Sequence, residues 1–321
     1  MLRKVLLLSC LLVFIVMLCS FSGCISNNKR LASIPSDAIK MTPENDVFPP
    51  VLHSDEWEYP IPMPGPINTA GAEDAPVISP DGNLFIFFFT PDVTVSPEKQ
   101  VLDGVSGIWW VTKEDGIWGE PQKAILNIGL SLDGPLCIQG NTLWFCSARS
   151  GTYRELDIFT AELENNRWRN WKNAGELLNV EYQVGELYLT ADGTTMFFDS
   201  SREGGFGGKD LWMTCKVQGQ WSEPVNLGPQ INTALDEGWP YVTSDGKELW
   251  YTSWSALGYQ GPAIFRTMQD ELGHWSQPEE IISNFAGDPA LDAKGNIYFT
   301  HHFYSEDMEM IEADIYVAYK R

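Results

Sequence analysis

The sequence predicts an all-β chain folded as a five-bladed β-propeller of four-stranded blades, and three observations predict it. A near-identical stretch is written twice, "INTAGAEDAPVISPDG" from Ile67 to Gly82 and "INTALDEGWPYVTSDG" from Ile231 to Gly246. A tryptophan followed three positions on by proline recurs at Trp57, Trp118, Trp221 and Trp275, while Trp168 carries Trp171 in the proline slot. Between these tryptophans lie short β-branched or aromatic runs bounded by Gly, Asp or Asn, the pattern of strands joined by tight turns.

The repeat sets the architecture before any single motif does. Downstream of each tryptophan comes an asparagine: Asn68, Asn127, Asn179, Asn232 and Asn284. An inner run and a glycine turn follow, "PVISPDGN", "PLCIQGN", "LYLTADGT", "PYVTSDGK" and "PALDAKGN". A second run comes next, such as "LFIFFF" or "TMFFDS", and then a third, such as "GIWWV" or "DLWMT". With the tryptophan-bearing run these make four strands in about fifty residues, the period of a propeller blade. The fifth copy stops at Arg321 after its third run, whereas Trp57 precedes the first copy with no inner strand ahead of it. "EWEYPIP" is therefore expected to supply the outer strand of the last blade and close the ring, which removes exposed sheet edges.

The stretch "SSREGGFGGKDLWMTCKVQGQWSEPVNLGPQINTALDEGWPYVTSDG" resembles the WD40-like repeat of TolB-type β-propellers, a family of secreted and membrane-associated proteins. The third copy matches it most fully. The first departs through the insertion "TPDVTVSPEKQVLDGVS", and the fifth has "SEDMEMIEA" in place of the Arg-Gly-Gly run. The resemblance implies the propeller fold and little about chemistry, because one scaffold hosts many functions.

Ahead of the repeats the chain reads as a secretory signal over residues 1–23, with Arg3 and Lys4 before an apolar run from Val5 to Leu18. "FSGC" resembles the lipobox of bacterial-type lipoproteins, which implies cleavage before Cys24 and lipid on that cysteine. The expected location is extracytoplasmic, periplasmic or cell-surface, with lipid holding the protein on a membrane. Residues 24–54, rich in Ser, Asn, Pro and charge, read as a tether, and residues 55–321 as the propeller.

A net charge of -22 repels phosphate backbones and argues against nucleic acid as a partner. Cations, proteins or neutral polymers such as carbohydrate fit better. Cys137, Cys146 and Cys215 are expected as small buried hydrophobes rather than a disulfide set, since their number is odd.

Candidate binding residues stand just before each inner run, where propeller loops rim the central channel. Every copy brings an acid there: Glu73 with Asp74, Asp133, Glu186, Asp236 with Glu237, and Asp288. Trp239 occupies a variable slot beside Pro240. Crowded carboxylates raise one another's pKa unless a cation or donors compensate. The rim could hold Ca²⁺ through six to eight oxygens, grip a sugar through hydrogen bonds and Trp239, or be a solvated acidic face. The five repeated tryptophans are expected between blades, and the asparagines in the turns from one blade to the next. His301 and His302, adjacent on a strand, are expected to face opposite ways, and "GGFGG" after Arg202 to form a flexible turn.

The favoured function is a non-enzymatic platform that binds protein, carbohydrate or another envelope component. The alternative is a carbohydrate-active enzyme of glycoside hydrolase type using two rim carboxyls. Against it, the inner runs themselves carry one acid, Asp292, near a turn.

Overall fold

The structure, a computed structural model, describes residues 27–321; the signal-like segment and Cys24 lie outside the described residues. The second strand of the first blade, Leu84–Thr90, shows why the sequence folds this way. Its run "LFIFFFT" buries both faces, because each blade is covered by a neighbour on either side, so the strand is continuously apolar instead of alternating.

From channel to rim the first blade comprises Ala72–Ile78, Leu84–Thr90, Gly107–Glu114 and an outer edge split between Ile117–Trp118 and Gln122–Lys123. The second comprises Ser131–Gln139, Thr142–Arg149, Asp157–Glu164 and Arg167–Asn173. The third runs Leu187–Leu189, Thr195–Ser200 and Asp210–Val217, with its edge split between Gln220–Trp221 and Val225–Asn226. The fourth runs Gly238–Val242, Glu248–Trp254, Pro262–Met268 and Glu279–Ser283, and the fifth Ala286–Leu291, Ile297–Tyr304 and Met310–Ala318. All neighbouring strands are antiparallel. The fifth blade takes its outer strand, Ile61–Pro62, from the other end of the chain, and Trp57 bridges to Lys320. The ring therefore closes as an all-β, five-bladed propeller.

The inner strands share an irregularity that shapes the channel. Pairing slips by one residue between Asp74 and Val77, Pro135 and Cys137, Gly238 and Tyr241, and Gly287 and Ala290. At three of these bulges the residue before the proline has a positive φ: Ala75 at 50°, Trp239 at 50° and Asp288 at 56°. A bulge re-aims the side chain it displaces, and here it faces one end of the channel.

The repeated tryptophans fill the space between sheets. Trp168 meets Trp110 of the preceding blade edge-on at 6.1 Å, Trp275 meets Phe197 at 6.1 Å, and Trp57 meets Trp250 at 5.5 Å. Trp118 packs on Phe85 of its own blade, and Trp221 joins the cluster around Trp212. Three of the asparagines make one identical bridge: Asn68, Asn179 and Asn232 each bond both the N–H and the C=O of a third-strand residue, Ile315, Ile158 and Leu211. Cys137, Cys146 and Cys215 are free thiols, and burial pushes the Cys137 thiol up to about 12.

The stretch read as a tether is packed against the propeller from Asn27 onward. Arg30 and Met41 are buried, the Lys40 ammonium pairs with Glu312 and Asp314, and Asp46 meets His301 at 2.8 Å. Val51–Leu52 adds a fifth strand to the fourth blade. The composition reads as a tether, but the partners of its charged residues lie on blades far away in sequence. The insertion in the first copy forms a short helix, Pro97–Asp103, with no buried residue. Among the described residues no helix is long and apolar enough to cross a membrane.

Candidate functional site

The bulged ends of the inner strands open into a cavity of about 490 Å³ at one end of the channel. Its wall includes Asp74, Glu186, Lys209, Asp236, Trp239 and Asp288, with His302 and Trp254 beside them. Deeper in, the channel narrows to about 40 Å³ where four inner-strand prolines converge, and the Tyr188 and Tyr241 rings approach to 4.5 Å. The mouth is thus a pocket with an apolar floor.

Four of the seven acids expected at the rim line this mouth, and three are elsewhere. Asp74, Glu186, Asp236 and Asp288 line the cavity, together with Trp239. Glu73 and Glu237 are fully buried and turn away, into the junction with the previous blade. Each accepts from the N–H and hydroxyl of a threonine four positions earlier, Thr69 at 2.9 and 2.6 Å and Thr233 at 3.0 and 2.6 Å. That shared device accounts for the twin stretches: Thr and Glu recur because they fasten one blade to the next. Asp133 is likewise occupied, by Arg149 at 2.7 Å and by the Ser131 and Ser147 hydroxyls. A one-residue offset in the second blade brings Gly134 to the slot filled elsewhere by Ala75, Glu186, Trp239 or Asp288.

The mouth carboxyls have unlike environments. Burial works against charge on Asp74, but His302 and hydrogen bonds from Asp288, Thr300 and the Ala75 N–H outweigh it and hold its pKa below the usual range. Asp288 is pushed well up by burial and by the Asp74 charge beside it, so of the two it is Asp288 that holds its proton more tightly. Burial and then the charge of Asp199 push Glu186 up to about 8, against the pull of Lys209. Burial lowers His302, against the pull of the Asp74 carboxylate. The mouth therefore sets Asp74, held towards its ionised form, against Asp288 and Glu186, both held towards the protonated form, with the Lys209 ammonium beside them.

Three contributors were invisible in the sequence pattern. Lys209 ends the glycine-rich loop, its ammonium 3.5 Å from buried Asp199 and 5.4 Å from the Trp239 ring centre. The loop is tightly packed instead of flexible: a Cβ on Gly207 would lie 2.1 Å from the Leu235 carbonyl oxygen. Asp236 accepts from the Lys209 N–H at 2.7 Å and so holds the loop over the mouth. Asp199 comes from a second strand, and it fits only because Gly185 faces it, where a Cβ would lie 2.0 Å from its Oδ1. His302 turns to the mouth while His301 turns to Asp46, the opposite facing expected of strand neighbours.

A calcium ion fits this donor set poorly. Asp74 and Asp288 are committed to one another and to Thr300, and Lys209 brings a positive charge into the ring. The acids do sit within inner strands, since Ala72–Ile78 includes Asp74 and Ala286–Leu291 includes Asp288, which removes the sequence-based objection to paired carboxyls.

No family model matches the chain, and no curated protein matches it. Among solved structures, a thermostable family-43 glycoside hydrolase is similar at 13% identity and TM-score 0.48, over 79% of this chain and 91% of that one. The α-L-arabinofuranosidase PaAbf62A from Podospora anserina is similar at 12% identity and TM-score 0.47, over 81% and 95%. TolB from Acinetobacter baumannii is similar at 12% identity and TM-score 0.41, over 78% of this chain and 55% of that one. The likeness is one of fold alone.

Proposed function

We propose that the chain is a lipid-anchored, extracytoplasmic binding propeller whose channel mouth takes a hydroxyl-rich ligand of carbohydrate type. The observation that carries this is the mouth's composition. Trp239 is 38% exposed at a bulge that turns its ring to the rim, over a pocket whose acids and Lys209 supply both donors and acceptors. Aromatic faces with a few convergent polar groups suit sugar rings. The anchor part of the proposal rests on the lipobox resemblance at Cys24.

A second reading, hydrolysis, is favoured by one specific feature: ionised Asp74 and protonated Glu186 share a mouth, the split state that acid-base chemistry on a glycosidic bond needs. Both readings are tested by melting and reducing-sugar release across a polysaccharide panel. Binding predicts thermal stabilisation by a glycan with no release, lost in Trp239→Ala. Hydrolysis predicts release that disappears in Asp74→Asn and Glu186→Gln and declines as pH rises through about 8, where Glu186 gives up its proton. Stabilisation by calcium alone would reassign the rim to a metal, and no response to any glycan would overturn the carbohydrate reading.

A further inference from the structure

Two departures from the repeat meet at one corner of the first blade. The first is the inserted helix Pro97–Asp103, which exposes Leu102 with Lys99 one turn before it. The second is the turn into the second blade, which carries Ile125, Ile128 and Leu130 on its exposed surface, Ile128 at 95%. Asn127 explains that display. Its counterparts Asn68, Asn179 and Asn232 bridge to the preceding blade, whereas Asn127 donates to Leu130 O at 3.2 Å within its own turn. The turn therefore folds on itself and presents its aliphatic side chains outward. The two features adjoin: Lys123 donates to Ser106 O at 3.1 Å, just past the helix, and the helix packs beside the second blade's inner strand.

The described chain begins at this same corner. Asn27 bonds Glu120, the Lys29 ammonium lies beside Gly104, and Leu31 is exposed. Two residues, Ile25 and Ser26, separate Cys24 from Asn27, so the two are at most about 11 Å apart along the chain. Arg30 is buried in the first blade, which fixes the described end of the chain at this corner.

We propose that this corner, with Leu102, Ile125, Ile128 and Leu130 at its centre, is a membrane-docking surface that rests in the headgroup region of a bilayer. The inference rests on the lipid-anchor reading of Cys24 and adds to it an orientation. Four exposed aliphatic side chains on one corner have the chemistry of an interfacial contact, and Lys29 and Lys99 offset the neighbouring Glu98, Asp103 and Glu120, so the contact is chiefly apolar. A lipid three residues away would hold them at the surface, with the first and second blades lowermost.

The test uses the full chain, purified from membranes and reconstituted in vesicles of phosphatidylcholine and phosphatidylglycerol, in a Cys215→Ser background. An environment-sensitive fluorophore is placed at Ile128→Cys, at Leu102→Cys and, as a control, at Leu272→Cys on the fourth blade. Doxyl-labelled lipid is expected to quench positions 128 and 102 several-fold more than position 272. Equal quenching at all three sites would overturn the docking surface. So would protection of position 128 from an aqueous quencher without lipid quenching, which means that a protein covers the corner. Cys24→Ser reads the anchor separately: a chain that stays on membranes without Cys24 removes the lipid-anchor reading, while the quenching contrast still decides the surface. Release of Cys24→Ser from membranes supports the anchor, whereas an unsubstituted chain recovered wholly soluble overturns both.

Discussion

The first and second blades solve the same problem with residues from different places. Each must bury an acid where it joins its predecessor, and each covers that acid with an arginine stacked on aromatic rings. In the second blade the arginine is its own: Arg149 ends the second strand, reaches Asp133 and Leu126 O, and lies 4.3 Å from the Phe159 ring centre. The first blade has no arginine at that place. Arg30 comes in from the N-terminal stretch, bonds Glu73, Pro66 O and Ile67 O, and lies 4.5 Å from the Phe89 ring centre. The first blade thus depends on the N-terminal stretch for a group that the second blade supplies from its own strand.

The largest test of that difference removes the borrowed arginine. Arg30→Ala should cost about 3–5 kcal/mol, because it strands a fully buried Glu73 carboxyl. Arg149→Ala should cost less, since the Ser131 and Ser147 hydroxyls still reach Asp133. Denaturant titrations of both variants check the ranking, and equal losses would break it. Replacing the pair together, as Arg30→Met with Glu73→Gln, should recover much of the loss, because a buried ion pair is weak evidence of net stability.

A smaller effect comes from pH. In the fifth blade the leader contributes Lys40, which pairs with Glu312 and Asp314. Burial pushes Glu312 up to about 7 despite Lys40. An acid whose folded pKa is raised holds its proton more tightly when folded, so folding is disfavoured as pH climbs from about 4.3, the unfolded value, towards 7. Stability should therefore fall across that window by about 1–3 kcal/mol, with Asp314 acting in the same direction. Glu312→Gln should flatten the decline; an unchanged profile in equilibrium unfolding would show that the leader's lysine already neutralises the site.

How much of this could be read from the chain follows from where each partner lies. The blade count and the closing strand were legible because turn glycines, tryptophans and strand runs recur within one copy. Glu73 and Glu237 were visible as a pair, yet spacing alone does not say whether an acid at a strand's start faces channel or junction. Thr69 and Thr233, four residues before them, were the available signal. Lys209, Asp199 and His302 had none, because they reach the mouth from loops and second strands whose register no repeat fixes. Arg30 sat in a polar stretch and is buried only through rings that lie more than fifty positions away.

The smallest expected stability change carries the most about function. One slot, the residue before the inner-strand proline, holds Gly134 in the second blade and Trp239 in the fourth. Trp239→Gly makes the two alike. It removes a bulky side chain from a φ of 50°, a conformation that costs an L-residue about 1–2 kcal/mol. It also gives up the contact with Lys209, worth about 0.5–1 kcal/mol at an exposed site. The two nearly cancel, so melting should shift by less than about 1 kcal/mol equivalent while stabilisation by glycan disappears. A residue kept in a strained conformation without net benefit to folding is placed there for what it touches. If melting instead dropped by several kcal/mol, Trp239 would be packing and the two blades would differ in architecture, not in use.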